Sequence, residues 1–355
     1  METVISNPKG RLKMHYSSFD IIAIILFVLG LGAWVKQVIS GFDGYSNQFP
    51  WGIYVAVFFA SASGAAGLFG IYGIRNLLKI GNRKEHTSLI ICALSLLIVA
   101  GCVITADVGA PLGLINIVTS MNFSAAIVAD FWVLLICALF AIFVLKKKTN
   151  EDSNIVFGCL AVILAIVLLT VEAWLVTKSN NQELLGITMG TAISIIQAAI
   201  IGFSFTVLIG LKKTNFFMYG IKVSLLLSLI VQLAELLSGL GNAGRLGLQW
   251  TALSNSSIYW VFSIVLGIIV PLIFLYYKKA YVLTGILSIV GVISAKLSFL
   301  WASQSVAGIA EMQKSVQPGV SMIEIIVVLG TIALGYLCFS ILKNVVIGKG
   351  ENLDV

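Results

Sequence analysis

The stretch Thr87-Ser-Leu-Ile-Ile-Cys-Ala-Leu-Ser-Leu-Leu-Ile-Val-Ala-Gly-Cys-Val-Ile-Thr-Ala106 decides the fold of this chain. It carries no ionised side chain, and a helix of about 20 residues at about 1.5 Å per residue reaches about 30 Å, the thickness of a bilayer's hydrocarbon core. Arg83, Lys84 and His86 stand before it and Asp107 follows directly, so charge bounds the apolar run at both ends. A membrane-spanning helix satisfies the backbone of such a run without help from water.

Working outward, the same reading finds nine more windows. The spans are expected at 18–40, 51–74, 87–106, 123–145, 154–177, 187–211, 217–240, 257–277, 281–302 and 322–343. Composition agrees: 59% of the 355 residues are hydrophobic and 10% charged, with a mean hydropathy of +1.05, against about 25% charged in an ordinary soluble domain. The expected fold class is all-α integral membrane, with no soluble catalytic domain. The first apolar run is too long for a signal-peptide core and lacks a small-residue cleavage site, so it is expected to stay as a helix.

The net charge of +7 is a topology signal. Lys9, Arg11, Lys13, Arg75, Lys79, Arg83, Lys84, Lys146, Lys147, Lys148, Lys212, Lys213, Lys278, Lys279, Lys343 and Lys349 all fall on one set of alternate connections. The other set holds Lys178, Arg245 and Lys314. The positive-inside rule therefore puts both termini, segments 1–17 and 344–355, in the cytoplasm of a multi-pass protein of the cell's inner membrane. The basic residues meet anionic lipid headgroups, and nucleic acid is not an expected partner.

Redox cofactors are tested by counting. Cys92, Cys102, Cys137, Cys159 and Cys338 lie inside spans without the short spacings that hold iron–sulfur clusters. His15 and His86 sit at the ends of two spans, so a haem with two axial histidines inside the bundle is not expected, and no metal site is.

Ionisable residues inside a membrane are costly, about 2.5–3.5 kcal/mol on insertion scales unless paired or wetted. Here Lys36, Asp107, Asp130, Glu172, Glu235, Lys296 and Glu324, with the polar Gln232, crowd toward the outer half, and Asp20 and Lys222 lie toward the cytoplasm. This one-sided cluster of both signs predicts a polar cavity open to the outer face; Lys36 and Glu324 also fit as side chains reaching to the interface. The longer outer connections, 107–122, 241–256 and 302–321, are rich in Asn, Gln, Ser and Trp and suit docking of a partner.

A faint repeat is present. The fourth span is entered through Asn122-Phe-Ser124 and the eighth through Asn255-Ser-Ser257, and spans two and six both carry small-residue seams, Ser63 to Gly73 and Ala198 to Gly202. The expected architecture is two four-helix bundles, 51–177 (spans 2–5) and 187–302 (spans 6–9), with peripheral first and last helices at 18–40 and 322–343.

Four motifs, in order and spacing across spans one to eight, resemble the NrfD-like, or polysulfide-reductase-type, family of membrane subunits, in its longer ten-helix form. They are Gly41-Phe-Asp-Gly44, Phe49-Pro-Trp-Gly-Ile-Tyr-Val-Ala56, Asp107-Val-Gly-Ala-Pro111 with Asn122-Phe-Ser124, and Tyr259-Trp-Val-Phe-Ser-Ile-Val-Leu-Gly267 through Pro271. The resemblance implies a quinone-reactive subunit without haem, using a quinone such as menaquinone near the outer surface among the first-bundle helices. It also implies a ferredoxin-like iron–sulfur subunit on the outer face and a molybdopterin-type catalytic subunit beyond it. Trp51, Asp107 and Asn122 are the matched positions. The family's arginine after Asp-x-Gly is Ala110 here, with Arg245 as a substitute from the second bundle, and Glu172 stands where a tyrosine-containing stretch is common.

Quinol oxidation needs proton acceptors, and partly desolvated carboxylates serve that task, which nominates Asp107 and Glu172. Tyr45, Trp51 and Tyr54 are candidates to flank the ring, although interfacial aromatic belts explain such residues equally well. Asp130, Gln232, Glu235, Lys222 and Lys296 are candidates for a proton route, with Ser224 and Ser228 bridging the gap of about 20 Å between Lys222 and Glu235. The competing readings are an ion-coupled secondary transporter using Asp130, Glu172, Glu235 and Lys296, disfavoured by spans that read as unbroken, and a non-catalytic anchor.

Overall fold

The computed structural model describes residues 18–41, 51–108, 113–147, 154–179, 187–211, 215–239, 245–307 and 319–347. Among them are ten helices long and apolar enough to cross a membrane, and no strand. The helices are α1 (Ser18–Ser40), α2 (Ile53–Leu77), α3 (Arg83–Asp107), the short α4 (Leu114–Ser120), α5 (Ala126–Lys146), α6 (Ile155–Ser179), α7 (Ile187–Leu208) and α8 (Asn215–Gly239). The short α9 (Arg245–Ser254), α10 (Tyr259–Tyr276), α11 (Tyr281–Ala307) and α12 (Met322–Val346) complete the order.

Local chemistry sets several ends. The Asn82 side chain caps α3 by accepting from the Glu85 amide at 2.9 Å. Ser321 and Glu324 form a capping box at the start of α12, so Glu324, expected at the interface, is instead buried against the helix end. Between α2 and α3 the chain reverses through Gly81 at φ +99°, where a Cβ would strike the Arg75 guanidinium. Arg75 is itself fully buried, paired with Glu85 and stacked on Phe217 at 4.7 Å.

Helix α2 is the hub, packing against α3, α6, α7, α11 and α12. Small residues allow this, because membrane helices associate by close packing rather than by expelling water. A Cβ on Gly67 would lie 2.0 Å from the Ala198 carbonyl oxygen, and one on Gly202 would lie 2.8 Å from the Gly67 carbonyl carbon. The two small-residue seams read in the sequence thus face each other. Gly67→Val is expected to force α2 and α7 apart and lower stability by about 1–3 kcal/mol. A Tm in detergent equal to that of the unmodified protein would refute this.

Around that seam α2, α3, α5 and α6 pack on one side, and α7, α8, α10 and α11 on the other. Each group has a short helix before its third member, α4 before α5 and α9 before α10. Helices α1 and α12 pack on each other with Gly30 against Gly330, and α12 leans on α3. The first eleven residues of α10, Tyr259–Ile269, are wound as a π-helix. Pro271 offers no N–H to the Gly267 carbonyl, and the Val270 amide bonds back to Val265 instead. The eighth span is therefore less regular than its sequence suggests.

Candidate functional site

A cavity of about 720 Å³ lies inside the first group of helices, between α2, α3, α4, α5 and α6. It occupies the end of the bundle away from the basic connections, here the lysine-poor end. Trp51, Asp107 and Lys178 stand where helices begin or end, and Asp130 one turn into α5. Deeper, the walls are Leu94, Leu97, Ile98, Leu134 and Ala138. One end of the chamber therefore carries polar groups and the remainder is hydrocarbon.

Trp51 is fixed from a distance. Its amide donates to Gln304 Oε1 at 3.0 Å, and Gln304 Nε2 donates back to the Trp51 carbonyl at 2.9 Å. Its ring packs against Phe59 with centroids 6.1 Å apart. Asp130 is 2% exposed, and its Oδ1 has no hydrogen-bond partner although it sits in the cavity wall. An unsatisfied buried oxygen costs free energy comparable to a lost hydrogen bond, so it marks a place for a donor to enter.

Behind this wall lies a second cluster. Glu172 on α6 is 1% exposed and accepts from the Ser63 hydroxyl at 2.9 Å through Oε2, while its Oε1 has no partner. Lys296 on α11 and Asp130 on α5 are its electrostatic neighbours. Lys296 lies over the Phe59 ring at 5.8 Å and lines a cavity of about 100 Å³ between the two groups of helices, together with Gln197, Ser228, Gln232 and Tyr259. Gln232 donates to Ser228 at 3.0 Å and accepts from Ser263 at 3.4 Å. Phe59 lines both cavities, and α6 contributes Val176 to the smaller and Leu175 to the larger.

The structure gathers the residues nominated from sequence into two sets. Trp51, Asp107 and Asp130 meet in the large cavity, and Glu172, Lys296 and Gln232 meet at and beyond the joint between the two helix groups. Tyr54 is in neither set: it is fully buried and its hydroxyl donates to Gln37 of α1 at 2.6 Å. Asn122 is exposed, accepting from the Ser124 amide at 3.2 Å in the turn that leads into α5. Lys222 is exposed on α8 and lines neither cavity. Tyr45, and the side chains of Glu235 and Arg245, lie outside the described residues.

No protein-family model matches the chain. It is similar to a Halobacterium salinarum protein whose name describes it as a "putative dimethyl sulfoxide reductase membrane subunit", 29% identical over 131 residues. That similarity covers 36% of this chain and 30% of the relative.

Three residues of the site escape sequence reasoning. By its position Lys178 reads as a loop charge, yet it stands at the end of α6 and lines the cavity. Its depth at the lysine-poor end of α6 can be counted from the sequence, but not the face it turns to the cavity. Gln304 lies in the last turn of α11, and nothing in the sequence points from it to Trp51. Gly101 lines the cavity without any atom within 4 Å of the position its Cβ would take, a property visible only in three dimensions.

Proposed function

We propose that this protein is the quinone-reactive membrane subunit of a respiratory oxidoreductase complex, binding a quinone such as menaquinone in the large cavity at the lysine-poor end. The observation that carries this reading is the unpartnered Asp130 oxygen in the wall of a chamber whose remaining surface is mostly apolar. A volume of about 720 Å³ falls within the roughly 300–1,000 Å³ of small-molecule sites, which combine apolar walls with a few placed polar groups. The fit is specific in layout: polar groups at one end suit a quinone ring, and the hydrocarbon remainder suits its isoprenoid chain.

When bound, a quinone supplies a carrier of two electrons and two protons. The residues hold the ring and take up the protons. Trp51, held by Gln304, offers a flat apolar face at the lysine-poor end. Lys178 offers a positive charge to a ring oxygen, replacing the arginine that Ala110 lacks. Asp130 Oδ1 and Asp107 are the acceptors within the chamber, and Glu172 is the next carboxylate beyond Asp130. From there Lys296, Gln232, Ser228 and Ser263 extend a polar chain into the second group of helices, a partial proton route that omits Lys222.

Positive-inside topology puts the lysine-poor end outside the cytoplasmic membrane, where a ferredoxin-like iron–sulfur subunit docks and a molybdopterin-type catalytic subunit follows. The name of the Halobacterium salinarum relative, a reductase membrane subunit, supports the same class of assembly.

The test uses the intact complex purified from its membranes. It should carry bound quinone, and Lys178→Met should raise the KM for a quinol about 10-fold or more while kcat changes little, as expected for loss of a charge-assisted hydrogen bond to the ligand. A complex free of quinone, with unchanged quinol kinetics in the variant, would overturn the assignment.

A further inference from the structure

We propose that the large cavity opens sideways into the hydrocarbon of the bilayer between α3 and α5, and that Gly101 shapes this opening to admit an isoprenoid tail. The proposal rests on the quinone reading above and adds the path and the tail subsite.

The two helices face each other along matching stripes. Leu94, Ile98, Gly101 and Thr105 repeat at three- and four-residue spacing on α3, and Ile127, Phe131, Leu134 and Ala138 do the same on α5. Several cavity-lining residues of these two helices keep accessible surface. Ile127 is 42% exposed and Leu135 36% exposed, and Gly101 is exposed as well. On this side the chamber is incompletely covered. The opposite walls are closed: Val55 and Phe58 on α2 and Leu175 on α6 are buried.

Gly101 differs in role from the glycines that fasten helices together. Gly30, Gly67, Gly73 and Gly267 each have neighbouring backbone closer than 3 Å to the place of a Cβ, whereas Gly101, like Gly32 and Gly70, has nothing within 4 Å, and of these three it is Gly101 that lines the cavity. Inside a helix a glycine costs about 1 kcal/mol relative to alanine, and here no close packing offsets that cost. The gap that it leaves lies six residues below Asp107, about 9 Å at the helical rise, and Leu135 lies nine residues below Ala126, about 13 Å. Those depths are within the apolar layer, where the reachable ligands are lipid-soluble. The one hydroxyl at the rim is already satisfied, because Thr105 Oγ1 donates to the Gly101 carbonyl at 2.7 Å. The rim therefore presents only apolar surface, suited to a prenyl chain and to no charged headgroup.

The test fills the gap from either side in the intact complex, with Gly101→Trp and, independently, Leu135→Trp. Quinone that co-purifies is quantified after extraction, and KM is compared for a long-tailed menaquinol and a tailless naphthoquinol. The expected result is loss of most co-purified quinone and a rise of about 10-fold or more in KM for the long-tailed quinol, with the tailless compound unchanged and Tm preserved. Equal loss for both quinols, or for neither, in the variant that keeps its Tm would overturn the side opening while leaving the quinone site standing. If the unmodified complex carries no quinone and its Tm does not rise with added naphthoquinone, the quinone reading itself fails.

Discussion

Asp130→Asn is expected to lower quinol turnover by about 10²- to 10⁴-fold, the usual contribution of a positioned proton acceptor, with little change in Tm. The asparagine keeps the shape and the burial of the side chain and removes only its capacity to take a proton. Asp130 is suited to such a test because it is 2% exposed in the cavity wall, and its Oδ1 is not engaged in holding the fold together. A static interhelical hydrogen bond would give the opposite pattern, with stability lost and turnover retained. The measurement is kcat with a soluble quinol analogue in the purified complex, beside a thermal melt. Full turnover in both Asp130→Asn and Asp107→Asn would sink the assignment of the chamber as a quinol-oxidising site.

The joint between the helix groups carries the second large effect. Glu172→Gln is expected to remove quinol-linked activity while the complex still assembles, since Ser63 can donate to the amide oxygen as it does to the carboxylate. Lys296→Met is expected to do more damage to stability, because it leaves Glu172 without its nearest cation in low-dielectric surroundings. The double variant should recover part of that loss, with a coupling energy of about 0.5–3 kcal/mol for residues in one network. Strict additivity of the two changes in Tm would mean that the carboxylate and the ammonium do not act on each other. In sealed vesicles, protons counted per quinol test the chain beyond Lys296: a count above the two from quinol, lost in Glu172→Gln, supports a route through Gln232 and Ser263. A count equal to two makes those groups structural.

How far the sequence led can be judged residue by residue. The ten spans lie within a few residues of the observed helices, because twenty apolar residues bounded by charge leave the backbone no other way to satisfy itself in lipid. The crowding of ionisable groups toward the lysine-poor half was equally legible, since depth along a helix is a matter of counting at a fixed rise. The facing of the seams at Gly67 and Gly202 was readable as small residues, though their partnership was not.

Rotation about each helix axis belongs to the tertiary structure. A helix that is apolar all round carries no stripe to say which side faces its neighbours, and α5 and α6 are of that kind. Sequence therefore placed Asp107 and Glu172 together as proton acceptors, while packing sends Asp107 and Asp130 into the chamber and Glu172 behind it, toward Ser63 and Lys296. For the same reason Tyr54 and Trp51, three residues apart, part company: Tyr54 turns to Gln37 of α1, and Trp51 is held in the cavity by Gln304, 253 residues away. By itself the sequence determined what crosses the membrane and at what depth each charge lies, through hydropathy and length. Which charges share a wall was decided by close packing, in which α2 meets α6 at Gly73 and Gly158 and α7 at Gly67 and Gly202 while α3 and α6 pack against α5.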